Sequence, residues 1–119
     1  MGKLLLVEDN ILLQETTREL LEAFGHQVLT AGNGKDALDI MVGHFSEIDL
    51  VILDLTLPDI GGEILLGLLA RDFTGVKVVL CTGSLVDDHL QQHQAVKGFL
   101  AKPFDLGELR RTVDLALAG

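Results

Sequence analysis

At 119 residues the chain has the length of one compact domain rather than two, and 48% hydrophobic content excludes a disordered or low-complexity segment. Nine basic against eighteen acidic side chains leave a formal charge of −9, with Arg110-Arg111 the only adjacent basic pair, which argues against direct nucleic acid binding. No apolar run reaches bilayer-spanning length, Lys3–Val7 is too short for a signal peptide, and Cys81 has no second cysteine to pair with, so a cytoplasmic domain without membrane contact is expected.

Short apolar runs alternate with helical periodicities along the whole chain, the signature of a single (βα)5 domain spanning 1–119. Leu4–Val7 reads as the first strand; Asn10 caps a helix presenting Leu13, Thr17, Leu20, Leu21 and Phe24, which ends at Gly25. Val28–Ala31 is the second strand, and Asn33-Gly34 turns into a helix with Ala37, Leu38 and Met41 inward, closed near Gly43. Leu50-Val51-Ile52-Leu53 is a continuous branched run of the kind a doubly covered parallel strand needs, and it stops abruptly at Asp54. Beyond Pro58 and Gly61-Gly62, a helix from about Glu63 packs Ile64, Leu65, Leu68 and Leu69 and is released at Gly75. The fourth strand is predicted over Val76–Cys81, with Cys81 a buried small side chain rather than a reactive thiol. Ser84 with Asp87 resembles a capping box for a weakly amphipathic helix over Leu85–Gln94. Val96–Ala101 is the fifth strand, and after Lys102-Pro103-Phe104 a helix capped by Asp105 with Glu108 presents Leu106, Leu109, Val113, Ala116 and Leu117.

The residues able to do chemistry fall at one edge: Glu8 and Asp9 after strand one, Asp54 after three, Thr82 after four and Lys102 after five. In an α/β, flavodoxin-like doubly wound parallel sheet of order 2-1-3-4-5, strands one and three are neighbours at the topological switch point, so these carboxylates share a crevice. Carboxylates gathered without a counter-ion repel one another, and such a set makes sense as a site for a hard divalent cation. Magnesium suits it, because it takes a few carboxylates, keeps waters and recruits phosphate oxygens. Lys102 then supplies a point charge, and Thr82 a hydroxyl, to a phosphoryl group. Singly, each has a plainer reading: an acidic turn, a surface lysine before a proline, a turn threonine. Their occurrence together on successive strand tips selects the chemical one.

Val7-Glu8-Asp9-Asn10, Asp54 through Gly62, Cys81-Thr82-Gly83 and Lys102-Pro103-Phe104 together resemble the receiver domain of two-component response regulators, over essentially the whole chain. The resemblance implies that Asp54 is the phosphoacceptor, that Glu8, Asp9, Asp54 and the Thr56 carbonyl hold magnesium, and that Thr82 and Lys102 contact the phosphoryl group. It also implies a cis Lys102-Pro103 bond, Thr82 and Phe99 as switch residues, and Thr56 and Ser84 where water reaches the acyl phosphate. The donor is expected to be a phosphohistidine on a sensor histidine kinase or a histidine phosphotransfer domain, with the chain itself a monomer or weak homodimer. Such a domain catalyses its own phosphorylation and dephosphorylation while serving signalling. The segment from Val96 to Phe104 looks like receivers attached to hybrid sensor kinases, and the stretch between Thr82 and Lys102 is short, which implies a truncated fourth helix.

Other readings make different demands. A degenerate receiver acts as a binding module without phosphorylation. A haloacid-dehalogenase-like phosphatase also uses a strand-tip aspartate, but its usual second aspartate falls at Thr56 here. A flavin carrier of the flavodoxin type wants aromatic stacking and a phosphate cradle, whereas the chain has no Trp or Tyr and an acidic first turn. His89 and His93 are four apart without the glutamate of a zincin between them and read as solvated, and His26 and His44 sit at helix ends.

Overall fold

The sheet comprises β1 (Lys3–Val7), β2 (Gln27–Ala31), β3 (Leu50–Asp54), β4 (Val78–Thr82) and β5 (Val96–Ala101), all parallel, in the order β2-β1-β3-β4-β5. This is a computed structural model, and it describes residues 2–83 and 88–119. Helices α1 (Ile11–Ala23), α2 (Gly34–His44), α3 (Gly62–Asp72) and α4 (Asp88–Gln91) lie between successive strands, and α5 (Leu106–Ala118) follows β5. A short 3-10 turn, Phe45–Glu47, follows α2 and has no counterpart in the sequence reading.

Both sheet faces are covered, and alternate strand residues sort cleanly between them. Leu5, Val7, Val51, Leu53, Val78 and Leu80 point into a core shared with Ala37, Met41, Leu65, Leu66 and Leu69 of α2 and α3. Leu4, Leu6, Leu50, Ile52, Val79 and Cys81 point into a second core with Leu21 of α1 and Leu109, Val113 and Ala116 of α5. This explains why β3 reads as an unbroken apolar run, with every residue from Leu50 to Asp54 buried. Each fully buried leucine here contributes about 1.5–3 kcal/mol by its removal from water.

Local chemistry sets the helix starts. The side chains of Asn10, Asn33 and Asp105 accept backbone N–H groups from Leu13, Asp36 and Glu108 respectively, as their cap positions predict. Gly25 takes a φ of 99°, a left-handed turn after α1 that a side chain would strain.

Four expectations need correction. Ile64 is 64% exposed and Leu66 is buried in its place, so α3 is rotated relative to the predicted phase. Leu106 is 52% exposed, because it stands at the first position of α5 before the helix meets the sheet. β4 begins two residues later than Val76, whose N–H instead bonds the Phe73 carbonyl in the turn leaving α3. The described part of α4 stops at Gln91, three residues short of Gln94, because His93 and Val96 form successive turns onto Leu90 and His93. The predicted Ser84–Asp87 cap lies outside the described residues.

Candidate functional site

Strand register brings the tip residues together. Val7 pairs with Leu53, which sets Glu8 beside Asp54; Asp54 pairs with Cys81, and Thr82 with Ala101, which puts Lys102 one step beyond. The backbone N–H of Lys102 bonds the Thr82 carbonyl at 2.8 Å, across the cis Lys102-Pro103 corner.

Carboxylate oxygens of Glu8, Asp9 and Asp54 lie within 4.8 Å of one another. Glu8 and Asp54 are only 4% and 2% exposed, while Asp9 is open to solvent. Lys102 reaches into this pocket, its Nζ standing 2.7 Å from Glu8 Oε1 and 3.3 Å from Asp54 Oδ2. Buried like charges at this spacing require a compensating cation, and the ammonium supplies one. The Asp54 carboxylate cannot swing freely, because its Oδ1 accepts the Thr56 N–H at 2.9 Å while Oδ2 faces the lysine. Glu8 is fixed in the same way, its Oε2 accepting the Asn10 N–H at 3.1 Å.

Burial lifts the Glu8 carboxyl above the usual carboxylate range, against the hydrogen bonds from Lys102 and Asn10 and with the charge of Asp54. For Lys102 burial pulls downward, but the bond to Glu8 and the charge of Asp54 outweigh it and hold the ammonium above its ordinary value. Burial pushes the Cys81 thiol up to about 12, so it remains a protonated, unreactive core group.

The all-oxygen donor set, two buried carboxylates and one exposed, suits a hard cation such as Mg2+. Thr56 is exposed and adjoins the cluster through its N–H to Asp54. Thr82 is 2% exposed at the end of β4. Phe99 stands apart from the cleft: on β5 opposite Leu80, it is half-buried against the α2–α3 core. His89 is exposed on α4 with Nε2 3.2 Å from Glu63 Oε1, and His93 accepts the Ala95 N–H, so neither joins the cluster.

Two contributors had not been foreseen. Gln14 Nε2 donates to the carbonyls of Glu8 and Ala31 at 3.0 and 3.2 Å, tying the ends of β1 and β2 beneath the acidic pair. A polar residue one turn into α1, on the face that meets the sheet, was its signal. The carboxylate of Asp59 accepts the N–H groups of Gly34 and Lys35 at the start of α2, at 2.8 and 3.0 Å, which holds it below the usual carboxylate range. Nothing local marks that role, because Gly34 and Lys35 lie 25 and 24 residues away.

The response regulator receiver domain family matches residues 4–114. Among curated proteins, the transcriptional regulatory protein CpxR of Escherichia coli is 36% identical over 92% of the chain, and the sensor kinase CckA of Brucella abortus is 33% identical over 92%. The chain spans only 46% of the first and 12% of the second. Among solved structures, the response regulator TrrA of Thermotoga maritima, in complex with Mg(2+)-BeF, superposes with a TM-score of 0.83 at 28% identity, covering 98% of this chain and 99% of that one. No helix among the described residues is long and apolar enough to cross a membrane.

Proposed function

The chain belongs to the response regulator receiver domain family of two-component signalling, and from that premise we propose that it accepts a phosphoryl group on Asp54 from a partner's phosphohistidine. The observation that carries this reading is the Asp54 carboxylate itself, buried at a strand tip, oriented by the Thr56 N–H and faced by Lys102 at 3.3 Å. An Asp54 oxygen attacks phosphorus as the bond to the histidine nitrogen breaks in line, leaving an acyl phosphate on the chain and a neutral imidazole on the donor once its protonation is restored.

Glu8, Asp9, Asp54 and the Thr56 carbonyl would hold Mg2+, which supplies positive charge to the phosphoryl oxygens when bound. Lys102 already presents its ammonium to Asp54 and needs only a small movement to pair with the added phosphate. Thr82, at the adjoining strand end, offers a hydroxyl to the same group, and its displacement is the switch to which Phe99 responds. Water reaches the acyl phosphate past Thr56, so the domain resets itself.

The donor is a sensor histidine kinase or a histidine phosphotransfer domain, and the chain acts as one receiver unit in the manner of those in hybrid kinases. Likeness to the CckA sensor kinase supports that placement. With a charge of −9, direct nucleic acid binding by this unit is not part of the reading.

Intact-protein mass spectrometry after incubation with acetyl phosphate tests it. The expected result is one magnesium-dependent phosphoryl adduct, absent in Asp54→Asn and retained in Thr82→Ala. An adduct that survives in Asp54→Asn, or none on the folded protein, would sink the phosphoacceptor reading; the latter leaves a constitutive binding module.

A further inference from the structure

We propose that Asp59 is a positioning residue for the phosphorylation site, locking the loop that follows Asp54 onto the start of α2. The inference rests on the phosphoacceptor reading of Asp54.

The free N–H groups at the start of α2 are capped from two directions. Asn33, the residue just before the helix, takes the Asp36 N–H at 2.8 Å. Asp59, from the loop between β3 and α3, takes the Gly34 N–H on Oδ1 and the Lys35 N–H on Oδ2. Its Oδ1 also accepts the Ile60 N–H at 2.8 Å, so one carboxylate fixes both the bend of its own loop and the end of another helix. Steric fit reinforces the tie. Ile60 lies against Gly34 so closely that a Cβ there would meet Ile60 Cβ at 2.9 Å.

The same loop is pinned at its other end. Gly62 donates its N–H to the Leu55 carbonyl at 3.2 Å, and a Cβ at Gly62 would fall 2.4 Å from Leu55 Cα, an approach only glycine allows. Leu55 in turn donates to the Cys81 carbonyl of β4. Thr56 is held between these anchors, with its N–H on Asp54. Both groups that the site needs from this segment, the Asp54 carboxylate and the Thr56 carbonyl, therefore inherit their placement from a loop whose outer end is secured by Asp59. Supporting residues that orient ligands in this way are worth about 10–100-fold in metal affinity when removed.

The experiment compares Asp59→Ala, Asp59→Asn and Asn33→Ala in the full chain. Asn33→Ala removes a cap from the same helix end without touching the loop, so it reports what loosening α2 alone does. Magnesium affinity of the unphosphorylated protein is read by calorimetry with MgCl2, and adduct formation by mass spectrometry with acetyl phosphate. Asp59→Ala is expected to weaken magnesium binding about tenfold and slow adduct formation, as loss of a supporting residue does. Asp59→Asn, whose amide oxygen can keep the Gly34 and Ile60 bonds, falls between it and the wild type. Asn33→Ala lowers the melting temperature while leaving magnesium affinity within about twofold.

Equal loss of magnesium affinity in Asp59→Ala and Asn33→Ala overturns the proposal, as does wild-type affinity in Asp59→Ala or a wild type that binds no magnesium. If Asp59→Ala does not fold, the contrast of Asp59→Asn with Asn33→Ala decides the matter in the same terms. A wild type that binds magnesium and forms no adduct refutes the phosphoacceptor reading alone, and the affinity comparison still judges Asp59.

Discussion

At the carboxyl edge of the sheet Glu8 and Asp54 are buried together with Lys102 reaching between them, whereas at the amino edge His26 is buried beside a backbone amide. The Nδ1 of His26 accepts the Gly2 N–H at 3.0 Å, and among the described residues its Nε2 has no hydrogen-bond partner. One edge gathers charge and balances it internally. The other keeps a titratable ring neutral, burial holding His26 below its ordinary range. On the proposed reading this site receives a cation and a phosphate, and the lysine makes the closeness of its carboxylates tolerable before either arrives. A packing position has no use for the charge, and the fold excludes it.

Removing the internal cation breaks the comparison most severely. Lys102→Met leaves two buried carboxylates unpaired, and the metal-free protein is expected to lose about 3 kcal/mol, the lower range for breaking a buried pair since Lys102 is 22% exposed. Urea unfolding in EDTA and again in MgCl2 checks this. Most of the loss should return with magnesium, because a divalent ion answers the same two carboxylates. Equal loss in both buffers would mean that the lysine stem, not its charge, supports this edge.

Glu8→Gln sharpens the comparison in the opposite direction. The folded Glu8 carboxyl sits above its unfolded value, so its contribution to stability is present at low pH and is lost as pH rises through the folded value. Above that folded value, without metal, the ionised group is therefore a cost. A neutral amide that keeps the Asn10 N–H bond is expected to raise metal-free stability by about 1 kcal/mol. Magnesium affinity should fall about tenfold, since a carboxylate ligand is gone. A variant that is less stable in EDTA, measured by urea unfolding, would show that the Lys102 bond outweighs burial.

This asymmetry between edges also governs what was legible in the sequence. Strand tips announce themselves, because a run such as Leu50–Leu53 ends in a polar or charged residue, and four such endings placed Glu8, Asp9, Asp54, Thr82 and Lys102 on one edge from the sequence. Alternation gave the (βα)5 class; the order 2-1-3-4-5 was expected from the flavodoxin-like doubly wound fold and is the observed one. What stayed hidden depends on contacts distant in sequence or on phase. Asp59, after a proline in a loop, looks solvated until α2 is folded against it. Ile64-Leu65-Leu66-Gly67-Leu68-Leu69 is apolar around the whole helix, so periodicity could not say that Leu66 and not Ile64 faces the core. Val76 extends an apolar run into a turn, where burial without ladder pairing mimics a strand. The bond from Glu8 to Lys102 spans 94 residues and required the register of four strands.

At the amino edge the effect is smaller and is read against pH. Because burial depresses His26, its stabilising contribution is present above the unfolded value of about 6.5 and is lost as pH falls from there through the folded value. His26→Asn retains an acceptor for the Gly2 N–H and cannot titrate. Between pH 7.5 and 5 the wild type is expected to lose on the order of 1 kcal/mol more than the variant, the scale of one unsatisfied buried group. Thermal melts of both proteins at the two pH values give that difference directly, and the Glu8 contribution cancels because it is common to both. A wild type and variant that fall in parallel would place a counter-charge within reach of the ring. Asp114, whose charge favours the protonated imidazole, is the group to replace next, and Asp114→Asn should then restore the divergence. If it does, the amino edge balances its titratable group by the same means as the carboxyl edge, and the contrast between them is one of degree.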